Sequence, residues 1–113
     1  MSRVPKKSAE AVKNRDEFCV RCGRGGSNVH HRRMRSQSPK AVVHNLENMI
    51  VLCGSGSSGC HGWVHGNPEE SYKQGWLVES WQSPEDVPVR YASGDFYYLN
   101  NRGTRILAEE LER

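Results

Sequence analysis

Residues 60–65 read CHGWVH, a cysteine followed by two histidines four positions apart. How this stretch folds decides the architecture. On an α-helix, positions i and i+4 project from one face, so His61 and His65 can grip one metal ion. Cys60, one step round the helix, points elsewhere and is left for a different site. A second pairing of the same kind lies upstream, where CVRC at 19–22 precedes HH at 30–31. Four of the five histidines therefore stand beside the only four cysteines.

Cys19 and Cys22 have the two-residue spacing of a zinc knuckle, whose backbone aims both thiolates at one point. Cys53 and Cys60 complete a tetrahedral four-thiolate set. Their separation exceeds the usual two to four residues, and GSGSSG at 54–59 supplies the slack as a flexible loop. A closed four-cysteine zinc site does no chemistry; it stands in for a core. Two disulfides are the alternative, and a redox CxxC the next. A redox pair belongs on a thioredoxin-like βαβ pattern, which is missing here.

The bulk composition agrees with a metal-stapled domain. Of 113 residues only 35% are hydrophobic and 11 are glycine, so a self-sufficient core is hard to build. No apolar run approaches a membrane span, and the basic N-terminus lacks the apolar stretch of a secretory signal. A cytoplasmic location follows as the expectation. There thiols stay reduced. Charge is polarised: residues 1–40 hold 11 Lys and Arg against 3 acids, residues 41–113 hold 5 against 10. A basic block around candidate metal ligands points to a polyanion, with nucleic acid first. The bland alternative is a solvated basic arm.

Along the chain, residues 1–17 read as a basic tail with a short helix. SAEAVKNRDEF is capped by Ser8, and Phe18 tucks towards the first metal site. SNVHHRRM is extended, RSQSPKAVVH a polar loop, and ENMIVLC a short β-branched strand. NPEESYKQG is a helix with Asn67 as N-cap, Pro68 first, Glu70 as capping-box acid and Gly75 at its end. WLVESW and VPVRY read as strands. DFYYLNNRGTRIL is a hairpin turning near 100–103, and AEELER a terminal helix. The expected division is 1–17 tail, 18–82 metal-bearing domain, and 83–113 a β-hairpin extension packed on it. Together these make a small α+β protein.

On a strand, His30 and His31 face opposite ways, or they flank a bend. One can ligate a metal while its neighbour moves protons. His44 has no partner in the pattern and reads as a loop residue.

The combination CVRC…VHHRR…ENMIVLC…CHGWVH resembles the HNH endonuclease family, in its zinc-ribbon-stapled bacteriophage form. The resemblance spans about Cys19 to Pro68 and implies a ββα-metal fold, a β-hairpin and a helix clamping one catalytic divalent ion. It implies His31 as the general base and Asn48 as the side chain pinning the loop that bears it. His30, where many relatives carry aspartate, is implied as a metal ligand, with His61 and His65 as the others. Hydrolysing a phosphodiester needs an activated water, charge neutralisation and help for the departing 3′ oxygen. Arg32, Arg33 and Arg35 follow the base and read as phosphate contacts, against the alternative of a solvated basic loop. An all-imidazole shell favours zinc, nickel or other transition ions over magnesium, with Mg²⁺ and Mn²⁺ remaining candidates. The expected function is a DNA endonuclease of limited specificity acting on double-stranded DNA, with phage packaging proteins as further partners. The rival is a zinc ribbon that binds nucleic acid without cutting it.

Overall fold

The computed structural model describes residues 4–26 and 28–111. The first three residues of the expected tail, Ser27 of the expected extended segment and the last two residues of the expected terminal helix lie outside them. The chain folds as a small α+β protein with two separate antiparallel sheets.

β1 (Asn28–His31) pairs with β2 (Met49–Leu52) so that His30 faces Ile50 and His31 faces Met49. All four residues of β2 are fully buried, on both faces. Alternation explains how. Met49 and Val51 pack with Val12 of helix α1 (Lys6–Asp16), while Ile50 and Leu52 join Cys60 and Val64 of helix α2 (Gly59–Gly66). Each such side chain contributes about 1.5–3 kcal/mol of apolar burial. The polar chain thus concentrates its core on a four-residue strand clasped between two helices.

α1 belongs to the domain rather than to a tail. It starts after Pro5, not at Ser8, and no side chain caps it. Its C-terminal end is locked by a buried pair: Arg15 Nε donates to Asp16 at 2.7 Å and Arg15 Nη2 to the Met49 carbonyl at 2.6 Å. Asp16 in turn accepts the Val51 N–H at 3.0 Å and the Tyr91 hydroxyl. Phe18, expected to tuck inward, is 56% exposed, because Glu17 at φ 63° turns the chain away after the helix.

Helix α3 (Pro68–Gln74) starts at Pro68 and ends at Gly75 as expected, with Gly75 left-handed at φ 80°. The capping box is not made. Asn67 sits between two helices and spends its amide on the Trp63 carbonyl at 2.9 Å, while Glu70 accepts from Gln74. WLVESW is not a strand. Trp76, Leu77 and Val78 are buried in an irregular segment whose N–H groups bond Ser71 and Arg32 carbonyls. The second sheet orders β3 (Val89–Arg90), β4 (Phe96–Leu99) and β5 (Arg105–Leu107) side by side, followed by the short α4 (Ala108–Leu111). The expected hairpin is therefore one edge of a three-stranded sheet, and Val89, Tyr91 and Leu99 enter the main core.

None of the described helices is long and apolar enough to cross a membrane.

Candidate functional site

The four cysteines converge. Their sulfurs lie within 4.8 Å of one another, and Cys22 Sγ stands 3.7 Å from Cys53 Sγ. A disulfide needs about 2.05 Å, and all four are free thiols. The spacing instead matches the edge of a tetrahedron with about 2.3 Å metal–sulfur bonds, roughly 3.8 Å. The set can hold a structural metal ion.

Backbone N–H groups of the knuckle turn towards Cys19, and the Cys60 N–H donates to Cys53 Sγ at 3.4 Å. That contact brings the Cys53 thiol down to about 7, whereas burial pushes Cys60 up to about 12 and raises Cys19. Four thiolates are stable together only around a cation, so loading releases protons. Arg21 completes the corner: Nη1 donates to Cys60 Sγ at 3.3 Å and the guanidinium lies 3.7 Å from the Trp63 ring centroid.

The 54–59 loop is not slack. Ser55 and Ser58 exchange backbone hydrogen bonds at 3.0 and 3.1 Å, and the loop closes with Gly54 against Gly59. A Cβ on Gly54, at φ 84°, would sit 2.2 Å from the Ser58 carbonyl oxygen. Glycines make this a tight turn that delivers Cys60 to the first turn of α2.

CHGWVH is helical within α2, and His61 and His65 share a face four residues apart. The register of β1 supplies the third ligand. His30 lies on the Ile50 side of the sheet, towards α2, and is buried. One nitrogen from each of His30, His61 and His65 lies within 4.8 Å of the others, and the ring centroids are 5.0–5.3 Å apart. His30 Nε2 is 2.8 Å from the Trp76 carbonyl, so Nε2 carries the proton and Nδ1 keeps the lone pair. His61 Nδ1 is buried with no hydrogen-bond partner. Convergent bare nitrogens and an orphaned buried one are what a metal ion would satisfy. Burial holds His30 neutral, down to about 3, and lowers His61 as well.

His31 points the opposite way, on the Met49 side of the sheet, as alternation requires. Its Nε2 is 3.0 Å from Nδ1 of His44. Burial, then the charges of His44 and Arg35, bring His31 down to about 4. It is neutral at pH 7. All four histidines of the predicted set line one open cavity of about 480 Å³, with Val4, Met34 and Arg35 at its walls.

Asn48 is buried between two loops. Its Oδ1 accepts from Arg33 N at 2.8 Å, and its Nδ2 donates to the Arg33 carbonyl at 3.3 Å and the Val43 carbonyl at 3.0 Å. It pins the chain just after His31 to the chain just before His44.

The three arginines part company. Arg32, expected on phosphate, is fully buried. It donates to the carbonyls of Gly75, Glu47, Pro84 and Val87 at 2.6–3.0 Å. Those carbonyls lie in two 3-10 turns, at the end of α3 and just after the second turn, where no strand partner is available. One guanidinium with five donors serves them all. Burial lowers Arg32 to about 9, which still leaves it charged at pH 7. Arg33 is half-buried and already donates to Ser38 Oγ at 3.1 Å and the Gln82 carbonyl at 2.7 Å. Arg35 is exposed at the cavity.

His44 is the site residue that sequence reasoning missed. It belongs to no motif, lies thirteen positions from His31, and meets it only through the fold. Compared with protein-family models, curated proteins and solved structures, the chain matches none.

Proposed function

We propose that the protein is a metal-dependent DNA endonuclease of the HNH type, with β1, β2 and α2 acting as its ββα-metal unit. One observation carries this reading. Three ring nitrogens, from His30, His61 and His65, converge in an open cavity beside a fourth, neutral histidine, while the cysteines form a separate closed set. A site that only staples the fold has no need of the second cluster.

In this reading the cysteines hold zinc, and His30, His61 and His65 hold one divalent ion. When bound, that ion supplies charge neutralisation for the phosphate and for the departing 3′ oxygen. Imidazole donors favour Zn²⁺ or Ni²⁺ over Mg²⁺ and Mn²⁺ there. His31 takes the proton of the attacking water. Its low pKa belongs to the free protein, and an approaching polyanion pushes it back towards the working range. Asn48 holds the loop behind it. Arg35 meets a flanking phosphate and Arg33 assists, whereas Arg32 has no part in binding. With one such site per chain, double-stranded DNA is nicked one strand at a time. A place in phage genome packaging or mobility belongs to the same proposal.

The test is supercoiled-plasmid relaxation by the wild type and His31→Ala, each with Mg²⁺, Mn²⁺, Ni²⁺, Zn²⁺ or EDTA. Metal-dependent nicking that the variant loses, with its melt unchanged, is the expected outcome. A folded wild type that binds plasmid but cuts under no metal would overturn the enzyme and leave a nucleic-acid-binding zinc module.

A further inference from the structure

The geometry points to His44 as a positioning residue that holds the ring and the tautomer of His31. The inference rests on the reading of His31 as the base. His31 Nε2 and His44 Nδ1 lie 3.0 Å apart, so one ring donates a proton and the other accepts it. The nitrogen His31 has left for other work is Nδ1.

The two assignments have opposite consequences. If His44 Nδ1–H donates, His31 accepts at Nε2 and carries its own proton on Nδ1, leaving no lone pair for a water. If His31 Nε2–H donates, Nδ1 keeps its lone pair and can accept that proton. The working form therefore requires His44 to present an unprotonated Nδ1, with its own proton on Nε2. His44 selects which face of His31 is basic.

The fold places His44 firmly enough for this. The turn before it closes with Val43 N donating to the Pro39 carbonyl at 3.0 Å, and Asn45 N donates to the Val42 carbonyl at 3.0 Å. Asn48 holds the Val43 carbonyl and both backbone polar groups of Arg33. One buried side chain thus brackets both rings, two residues after His31 and one before His44. The rings meet at 54° with centroids 5.1 Å apart, a hydrogen-bonding rather than a stacked arrangement.

Two measurements on the full zinc-loaded chain test this. The first is single-turnover plasmid nicking by wild type, His44→Ala and His44→Asn, in the ion that supports wild-type cleavage. The second is the ¹⁵N shift pattern of the His31 ring without DNA. His44→Ala should slow nicking about 10–100-fold with plasmid affinity unchanged. His44→Asn, whose Oδ1 takes the place of the accepting nitrogen, should recover most of the rate. The His31 ring should be Nε2–H in wild type and a mixture in His44→Ala.

Wild-type rate in His44→Ala overturns the inference. So does an asparagine variant as slow as alanine when both melt like wild type. If wild type cuts nothing, the nuclease reading fails, and the ring measurement decides the positioning alone. A His31 tautomer that is the same in wild type and His44→Ala would sink it.

Discussion

The cysteine corner and the histidine cluster share one helix and differ in nearly everything else. Cys60 opens α2 and points into the core, while His61 and His65 follow it and look out on a cavity. The cysteine set draws on a knuckle turn, the end of β2 and the start of α2, and its ligands complete a tetrahedron. The histidine set has three donors and an open side. A closed tetrahedron resists exchange and replaces missing core, whereas three ligands with an open side leave room for a substrate oxygen. In the proposed reading, the two clusters of one small domain divide stability from chemistry. Substitutions in them should therefore separate the two.

The largest effect expected is at the shared helix. Cys60→Ala should lose the bound metal and with it a cooperative thermal transition, because the ion's binding free energy is part of the folding free energy. His61→Ala should melt within a few degrees of wild type and lose only the added divalent ion. Zinc content by atomic absorption, melting by circular dichroism and Ni²⁺ titration by calorimetry check both. Equal loss of fold in the two variants would abolish the distinction drawn above.

The arginines sharpen the same contrast. Arg32→Ala removes the side-chain donor from four carbonyls, of which Pro84 keeps the Val87 N–H, and should cost roughly 4 kcal/mol in urea unfolding. Arg35→Ala should leave the urea midpoint in place, weaken plasmid binding at low salt and reduce the salt slope by about one. A phosphate role for Arg32 would show as a change in salt slope without loss of stability.

A smaller, pH-dependent effect should come from His30. Burial depresses its folded value from 6.5 to about 3. Above 6.5 neither the folded nor the unfolded form binds the proton, and the full stability is present. As pH falls below 6.5 the unfolded chain takes up a proton that the folded site refuses, so stability drops until about 3. With no divalent ion added, wild type should lose stability faster than His30→Gln over this window, by up to about 1.4 kcal/mol per pH unit. Urea midpoints from pH 7 to 5 measure it. Parallel curves would mean that His30 is solvated in the folded protein.

Much of the site was legible before folding because its ligands are paired by local geometry. The i, i+4 spacing of His61 and His65, the CxxC knuckle and the opposed faces of HH at 30–31 are consequences of helix, turn and strand periodicity. The strand at 49–52 and the hairpin near 100–103 follow from β-branched runs and turn residues in the same way. The failures have one physical kind. WLVESW has strand composition, but its polar backbone groups are met by the Ser71 and Arg32 carbonyls and by the His30 side chain instead of a ladder. Arg32 and Arg35 are alike in sequence, and only the carbonyls gathered around one of them separate core from surface. GSGSSG reads as slack until Gly54 is seen pressed against Gly59.

The sequence by itself determined that Cys19 and Cys22, and His61 and His65, pair as candidate metal donors, since spacing along one element needs no knowledge of the others. That His30 rather than His31 joins the latter two was implied by the resemblance and is set by the register of β1. Tertiary structure alone decided that α1 is part of the core, that Arg32 is a buried strut, and that His44 meets His31. Those outcomes rest on contacts between residues far apart in the chain. No local propensity encodes such contacts, because their energy exists only once β2 has been enclosed.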